Sequence, residues 1–161
     1  MSETDTNKSA SIKNKRYELS EEMRAVATLV LEAKNLSVRP ARIRFVKVYP
    51  HINKTTAATC GIASNLVNFF GEADFVISAS GDLWDALTPA LRSILMYHEL
   101  LHIVCTQNEK TGDFKFSLRD HDINEFREII ASYGIDWIED LKAVFIESGG
   151  FEPGEIDNLG L

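Results

Sequence analysis

The sequence contains little cysteine and no long apolar run, and both shortages limit the class of protein it can encode. Cys60 and Cys105 are the only two cysteines, so the chain shows no disulfide framework of the kind that staples small secreted domains. No apolar run approaches the roughly 20 residues that a membrane span needs. The first residues, MSETDTNKSASIKNK, also lack the apolar stretch of a secretory signal. We therefore expect a cytoplasmic protein with free thiols and no membrane partner.

Positive charge is also scarce. The chain has 17 Lys and Arg residues against 24 Asp and Glu residues, which gives a net charge of -7. A protein built mainly to bind nucleic acid usually presents a basic face, so this balance argues against nucleic acid as a partner. One local basic stretch contains Arg39, Arg42, Arg44 and Lys47. It is short, and we interpret it as a solvated strand edge.

The length and composition fit one soluble domain with polar ends. A chain of 161 residues with 45% hydrophobic residues can bury a single core without staples. Residues 1–15 have almost nothing apolar to bury, and they are predicted to form a flexible N-terminal tail. We assign residues 16–150 to a single domain and residues 151–161 to a C-terminal tail.

Apolar patterns predict both helices and strands, and hence an α+β fold. Ser20 is a predicted N-cap, and the helix after it carries an apolar stripe that ends near Asn35 or Leu36. Alternating or small and β-branched residues predict further extended segments, at residues 42–50, 56–64, 74–80 and 114–118.

A second helix is predicted after the turn signal Ser80-Gly81-Asp82. Thr88 can cap this helix, and Pro89 fits the first helical position, where its missing N–H costs nothing. A broad apolar face follows at helical spacing. It comprises Leu91, Ile94, Leu95, His98, Leu101, His102 and Cys105. Both histidines are therefore predicted to face the interior.

This helix contains the order H-E-x-x-H, at His98, Glu99 and His102. Residues four apart lie one turn above each other on a helix, so both imidazoles can reach one metal ion. Glu99 follows His98 directly and therefore leaves the helix in a different direction. From there it can accept a proton from a metal-bound water instead of binding the metal itself. A catalytic zinc needs one more protein ligand and keeps its fourth position for water.

The third ligand has few candidates, because the chain has only four histidines. His121 follows His102 by an interval that lets the chain turn at Gly112 and return, and we prefer it to His51. Cys105 is a conceivable ligand, although a cysteine on such a face is more often a small buried hydrophobe. A helix with two hydrogen-bonded core histidines and no metal is the alternative to the whole site.

Two further helices are predicted after the third histidine. Asp122 followed by Glu125 resembles a capping box at the start of a helix, and Gly134 is predicted to end this helix. Asp122 could instead accept the N–H of a liganding imidazole. The last helix runs from about Asp136 to Gly149. Candidate donors to the oxyanion of a tetrahedral intermediate, among which spacing cannot choose, are Arg119, Tyr49 and Tyr133.

The order of DFVISAS, HELLH and RDHDINEFREII with YG resembles the putative phage metallopeptidase family. The resemblance covers roughly residues 17–135. The chain is also similar, more distantly, to the SprT-like zinc proteases, in which H-E-x-x-H precedes a later histidine near a helix start. It lacks the cysteine-rich zinc ribbon that some of those proteins carry, which argues against a DNA-linked substrate.

The resemblance implies a zincin-like fold, in which a small, mostly antiparallel sheet packs on the helix with H-E-x-x-H. It also implies Zn²⁺ held by His98, His102 and His121, with Glu99 as general base. We expect a phage-encoded peptidase acting on a protein or peptide in the host cytoplasm, with strand FVISAS as the sheet edge that an extended substrate joins. The alternative function is a non-catalytic zinc protein that binds a phage or host protein.

Overall fold

The computed structural model describes residues 15–122 and 125–150, and these form an α+β fold. Six strands and six helices occur in this part of the chain. The strands are β1 (Arg16–Leu19), β2 (Ile43–Tyr49), β3 (Ala58–Ile62), β4 (Phe75–Ser80), β5 (Ile103–Gln107) and β6 (Phe114–Leu118). The helices are α1 (Glu21–Ala33), α2 (Asn65–Gly71), α3 (Gly81–Ala86), α4 (Pro89–Leu101), α5 (Arg127–Tyr133) and α6 (Trp137–Glu147).

Four strands form one small mixed sheet in the order β1-β2-β4-β3. β1 pairs with β2 and β3 pairs with β4 in antiparallel fashion, whereas β2 and β4 are parallel. β5 and β6 form a separate antiparallel hairpin. The prediction that FVISAS supplies a sheet edge is wrong, because this segment is β4 and has a partner on both sides. Its largely buried side chains explain the position, since a central strand is covered on both faces.

The predicted caps account for where α1 and α4 begin. The Ser20 hydroxyl oxygen accepts a hydrogen bond from Met23 N at 3.1 Å, and the Thr88 hydroxyl oxygen accepts one from Leu91 N at 3.3 Å. Each bond satisfies an N–H group that the first helical turn leaves without a partner. α1 ends at Ala33, slightly before the predicted end, and Asn35 follows in the left-handed region with φ 50°.

Two helices were not predicted from the pattern. α2 forms between the predicted extended segments 56–64 and 74–80, and the Ser64 hydroxyl caps it by accepting from Val67 N at 3.3 Å. α3 begins at Gly81, so the predicted turn is a helix start with Asp82 in the first turn. Glycine is required there because an added Cβ would lie 2.6 Å from ring atoms of Tyr49.

The placement of Cys105 on the helix with the histidines is wrong. α4 ends at Leu101, His102 is its C-cap, and the chain continues at once into β5. Ile103, Val104 and Thr106 are β-branched and favour the extended conformation, which overrides the helical periodicity. The Cys105 thiol donates to the Val38 carbonyl oxygen at 3.2 Å.

The core lies between the four-stranded sheet and the helices, with α4 in contact with α1, β3, α5 and α6. Its largest fully buried side chains include Trp84, Phe75, Phe126, Phe145, Met23 and Ile77. This position of α4 brings the predicted site helix into contact with most of the other helices. None of the described helices combines the length and apolar character needed to cross a membrane. The predicted tails, apart from Lys15, lie outside the described residues.

Candidate metal centre

Two histidines reach the candidate centre from the last turn of α4. His98 is fully buried, with 0% of its surface exposed, and His102 caps the C-terminus of the helix. Their ring centroids are 5.2 Å apart, which is the separation expected for side chains one helical turn apart. The prediction that both rings lie on the inner face holds fully for His98 and partly for His102, which is half-buried.

The β5–β6 hairpin returns the chain to this pair and brings His121 with it. The hairpin pairs Ile103 with Leu118, and Gly112 occupies its turn with φ +77°. His121 Nε2 consequently lies 3.0 Å from His98 Nε2, and the His121 ring centroid is 4.8 Å from each of the other two. The three histidines form a group whose ligand atoms lie within 4.8 Å of one another, and such a group could hold a metal ion.

Hydrogen bonds to the far side of two rings decide which nitrogen remains free. His98 Nδ1 lies 2.6 Å from Glu125 Oε1, and His102 Nδ1 lies 2.7 Å from the Arg119 carbonyl oxygen. Both oxygens are acceptors, so each Nδ1 carries the proton and each Nε2 keeps its lone pair. This is the tautomer that a metal-binding histidine needs.

The spacing of two nitrogens in the triad is compatible with a shared metal ion, and all the ligand atoms lie within 4.8 Å of one another. Four ligands at about 2.0–2.1 Å in a tetrahedron lie roughly 3.3 Å from one another, and the His98–His121 nitrogen distance of 3.0 Å is close to that spacing. Burial lowers the pKa of both His102 and His121. A lowered pKa favours the neutral imidazole, which is the form that binds a metal.

Phe126 forms a common wall beneath the three rings. It has no exposed surface, and its ring centroid lies 5.2 Å from His98, 4.9 Å from His102 and 5.0 Å from His121. All three contacts are edge-to-face, an arrangement that aromatic pairs prefer. Phe126 is the N-cap residue of α5, and its position restricts how each imidazole can rotate.

Glu99 is a buried carboxyl group beside the triad. Only 1% of its surface is exposed, and neither carboxyl oxygen has a hydrogen-bond partner among the described residues. Burial raises its pKa to about 7, with His98 lowering the pKa and Glu125 raising it to smaller extents. On the neighbouring strand β3, burial and the charge of Glu99 raise the pKa of the Cys60 thiol.

The alternative third ligand, His51, lies elsewhere. Its Nε2 is 3.1 Å from the Ser148 carbonyl oxygen, at the end of α6, and its ring packs edge-to-face on Phe145 at 5.3 Å. His51 therefore connects the turn after β2 to the last helix. His121 lies beside the pair and His51 does not, whereas the role of His121 as the third ligand stays a prediction.

The role predicted for Glu125 from the sequence is wrong. Glu125 was predicted to complete a capping box, but the N-cap of α5 is Phe126, which makes no side-chain cap. Glu125 instead directs Oε1 to His98 Nδ1, and the same oxygen accepts from Phe126 N at 2.7 Å. The sequence signal that could have identified this contact is the spacing of four residues between His121 and Glu125.

Asp122 contacts an arginine and a backbone amide, and neither partner is an imidazole. Its Oδ2 accepts from Arg119 Nη2 at 2.8 Å and from Arg127 N at 3.0 Å. The second bond supplies part of the predicted cap, because Arg127 is the first residue of α5. The bond to Arg127 lowers the pKa of Asp122, and the charge of Arg119 lowers it further.

The three candidate oxyanion donors have other partners in the structure. Arg119 is held by Asp122 and by Glu128, whose Oε1 lies 3.0 Å from Arg119 Nη1. The Tyr49 hydroxyl donates to Asp85 Oδ2 at 2.6 Å, and Lys34 Nζ lies 4.5 Å from the Tyr133 ring centroid. None of these contacts supports a choice of oxyanion donor.

Three clustered imidazoles beside a buried carboxyl group, in an α+β domain, define a candidate metal-dependent hydrolase. The model of the putative phage metallopeptidase family matches residues 15–145, and the chain belongs to this family. The resemblance drawn from HELLH and RDHD is thereby confirmed, whereas the more distant similarity to SprT-like proteases stays a prediction. Neither curated proteins nor solved structures yield a match to the chain.

Proposed function

We propose that the protein is a zinc-dependent peptidase with a zincin-like arrangement of sheet and site helix. In this proposal His98, His102 and His121 hold Zn²⁺, and Glu99 is the general base. The observation that carries it is Glu99 itself, whose two buried carboxyl oxygens have no hydrogen-bond partner among the described residues. An unpartnered buried carboxyl group is costly for stability. A role as general base beside the two oriented imidazoles would explain why the protein keeps it.

Zinc is the proposed metal because imidazole ligands suit it well and because a catalytic zinc has three protein ligands, the number in this cluster. Among the described residues, the candidate group consists of His98, His102 and His121, which matches the three protein ligands of a catalytic zinc that keeps its fourth position for water. Bound zinc would polarise a peptide carbonyl and lower the pKa of its water from 15.7 to about 7.

The protein's own part in hydrolysis is proton transfer at Glu99. One of its carboxyl oxygens accepts a proton from the attacking water and later donates it to the peptide nitrogen that leaves. A pKa of about 7 suits both halves of this task, because the group can give up and take back a proton near neutral pH. His98 and His102 stay fixed meanwhile, through their bonds to Glu125 and to the Arg119 carbonyl oxygen.

We infer that an extended substrate would lie along β3. The described sheet has β1 and β3 as its outer strands, and β3 is the one that contacts α4. After burial, the charge of Glu99 is the second cause that raises the pKa of the Cys60 thiol on this strand, which supports a path for the substrate close to Glu99. An extended peptide added to β3 would therefore run past the general base.

The test compares Glu99→Gln with wild type for zinc content and for cleavage of a denatured, fluorescently labelled protein. We expect equal zinc content and at least a hundredfold loss of turnover, because general-base catalysis typically contributes about 10²–10⁴-fold. Glu139→Gln is the matched control, since Glu139 pairs with Lys142 on the surface of α6. Retained turnover in Glu99→Gln would remove Glu99 from the reaction.

A second candidate function is a non-catalytic zinc protein that binds a phage or host protein. It is favoured by α2, whose Phe69 and Phe70 are each 76% exposed and pack against each other at 5.0 Å. Exposed apolar surface of this kind often marks protein contacts. If wild-type protein binds zinc and cleaves no substrate, this function replaces the first. In either case we propose the host cytoplasm as the location.

A further inference from the structure

Glu125 and His98 form a fully buried pair at the junction between the triad and α5. Their exposed fractions are 1% and 0%, and Glu125 Oε1 lies 2.6 Å from His98 Nδ1. The same Oε1 accepts from Phe126 N at 2.7 Å, so the backbone fixes the carboxylate from its other side. Glu125 therefore has a defined position and cannot swing away to solvent.

The carboxylate controls the tautomer of His98. A carboxylate can only accept hydrogen bonds, so it requires His98 to carry its proton on Nδ1. The lone pair then stays on Nε2, which is the nitrogen 3.0 Å from His121 Nε2. If Nδ1 lost this partner, part of the His98 population would carry the proton on Nε2 and could not bind a metal there.

The two helical histidines differ in the charge of their partners. His102 donates to the neutral carbonyl oxygen of Arg119, whereas His98 donates to the carboxylate. Hydrogen bonds to ionised acceptors are shorter and roughly twice as strong as neutral ones, and the negative charge raises the basicity of the bonded imidazole. His98 should thus be the stronger of the two metal ligands.

We propose that Glu125 is the positioning residue of the metal centre, which orients His98 and strengthens its bond to the metal. The proposal rests on the proposed function only in requiring that the triad binds a metal. Its consequence is that the two buried carboxyl groups, Glu99 and Glu125, have different roles. Glu99 acts on substrate, and Glu125 acts on the ligand.

The test is zinc affinity of purified protein, measured by competition with a chromophoric chelator, in wild type and in Glu125→Gln. Glutamine has nearly the same shape and can still accept from Nδ1, so the substitution removes mainly the charge. We expect zinc to bind roughly tenfold more weakly, at the lower end of the usual effect of mutating the partner of a metal-binding histidine, because the acceptor remains and only its charge is lost. Glu139→Gln, which removes a charge at the surface, should leave the affinity unchanged.

A second measurement separates positioning from a purely structural role. Urea unfolding of the chelator-treated proteins should show Glu125→Gln to be at least as stable as wild type, because a buried carboxylate is costly without a cation. The visible spectrum of the Co²⁺ form should keep its shape in Glu125→Gln, since the three ligands are unchanged. Equal zinc affinity in Glu125→Gln and wild type would overturn the proposal, and so would weaker binding that merely follows a loss of metal-free stability. Wild type that binds no zinc would overturn the proposed function as well.

Discussion

Arg119 and His102 are joined by two hydrogen bonds. Arg119 N donates to the His102 carbonyl oxygen at 2.7 Å, and His102 Nδ1 donates to the Arg119 carbonyl oxygen at the same distance. The pair closes the β5–β6 hairpin at its base, where the end of α4 meets the segment that carries His121. The distance between the helical histidines and His121 is consequently restrained by one backbone–backbone bond and one bond from the His102 ring, and neither involves the Arg119 side chain.

The side chain of Arg119 provides a second restraint on this segment. It binds Asp122, the residue after His121, and Glu128 on α5, and its guanidinium lies 4.7 Å from the Phe126 ring centroid. Arg119→Met keeps an apolar stem over Phe126 and removes both ion pairs. Because these groups are partly exposed, we expect a loss of only about 1 kcal/mol in the free energy of unfolding. The looser His121 segment should weaken zinc binding by roughly tenfold.

Urea unfolding and chelator competition check this prediction on the same preparations. Lys142→Met is the control, because it removes a surface ion pair with Glu139 on α6, away from His121. We expect zinc affinity to stay at the wild-type value in the control. If Arg119→Met binds zinc as tightly as wild type, the two bonds between His102 and the Arg119 backbone are sufficient to position the segment.

The sequence contained enough to predict that the three histidines lie close together. His98 and His102 follow from helical spacing, because the well-signalled cap at Thr88 sets the phase of α4. His121 follows from an interval that must contain a turn, and Gly112 provides it. These inferences rest on local chemistry, which depends little on the rest of the fold.

What the sequence could not supply depends on tertiary contacts. Glu125 matched a capping box, and only the packing of α5 beneath His98 redirects its carboxylate. Cys105 continued the helical periodicity, yet pairing with Phe116 in the hairpin extends that segment. The central position of β4 likewise depends on β2, which lies far away in the sequence. Each error arises where a local pattern competes with a distant partner.

Asp74, the residue before β4, binds Arg42, the residue before β2. This contact should make the free energy of unfolding depend on pH. The Asp74 carboxylate accepts from Arg42 N at 2.8 Å, from two nitrogens of the Arg42 guanidinium, each at 3.2 Å, and from Asn68 Nδ2 at 3.0 Å. Burial raises the pKa of Asp74, but the bonds from Arg42 outweigh burial and hold the pKa below its usual range. The carboxylate therefore stabilises the fold above the unfolded pKa of about 3.9, and this contribution is lost as the pH falls through the folded pKa.

Asp74→Asn should lower the free energy of unfolding by roughly 1.5–3 kcal/mol at pH 7, because it removes the charge from these bonds. The difference from wild type should shrink as the pH falls below the unfolded pKa of about 3.9 and through the lower folded pKa, where the wild-type carboxylate becomes protonated. Urea unfolding at each pH measures this, with chelator present throughout so that metal release does not contribute. Asp113→Asn, at an exposed hairpin position, should show no such convergence. A constant difference across the range would contradict the assignment to Asp74.

Removal of the metal should lower the melting temperature of the wild-type protein. A metal that binds only the folded state at 100 times its dissociation constant stabilises by about 2.7 kcal/mol. For a domain of this size that corresponds to a shift of roughly 5–10 °C. Differential scanning calorimetry of zinc-loaded and chelator-treated protein measures the shift directly. We expect His121→Ala to abolish it, because the remaining pair cannot complete the ligand set.

His51→Ala is the informative control, because His51 was the other candidate for the third ligand. Its ring bonds the Ser148 carbonyl oxygen and packs on Phe145, so the substitution should lower the melting temperature of both forms. The difference between zinc-loaded and chelator-treated protein should nevertheless stay as large as in wild type. A shift that persists in His121→Ala and vanishes in His51→Ala would reverse the assignment, and it would require zinc to bind near the end of α6. The comparison thus tests the ligand set by the response to metal, independently of how much each substitution destabilises the fold.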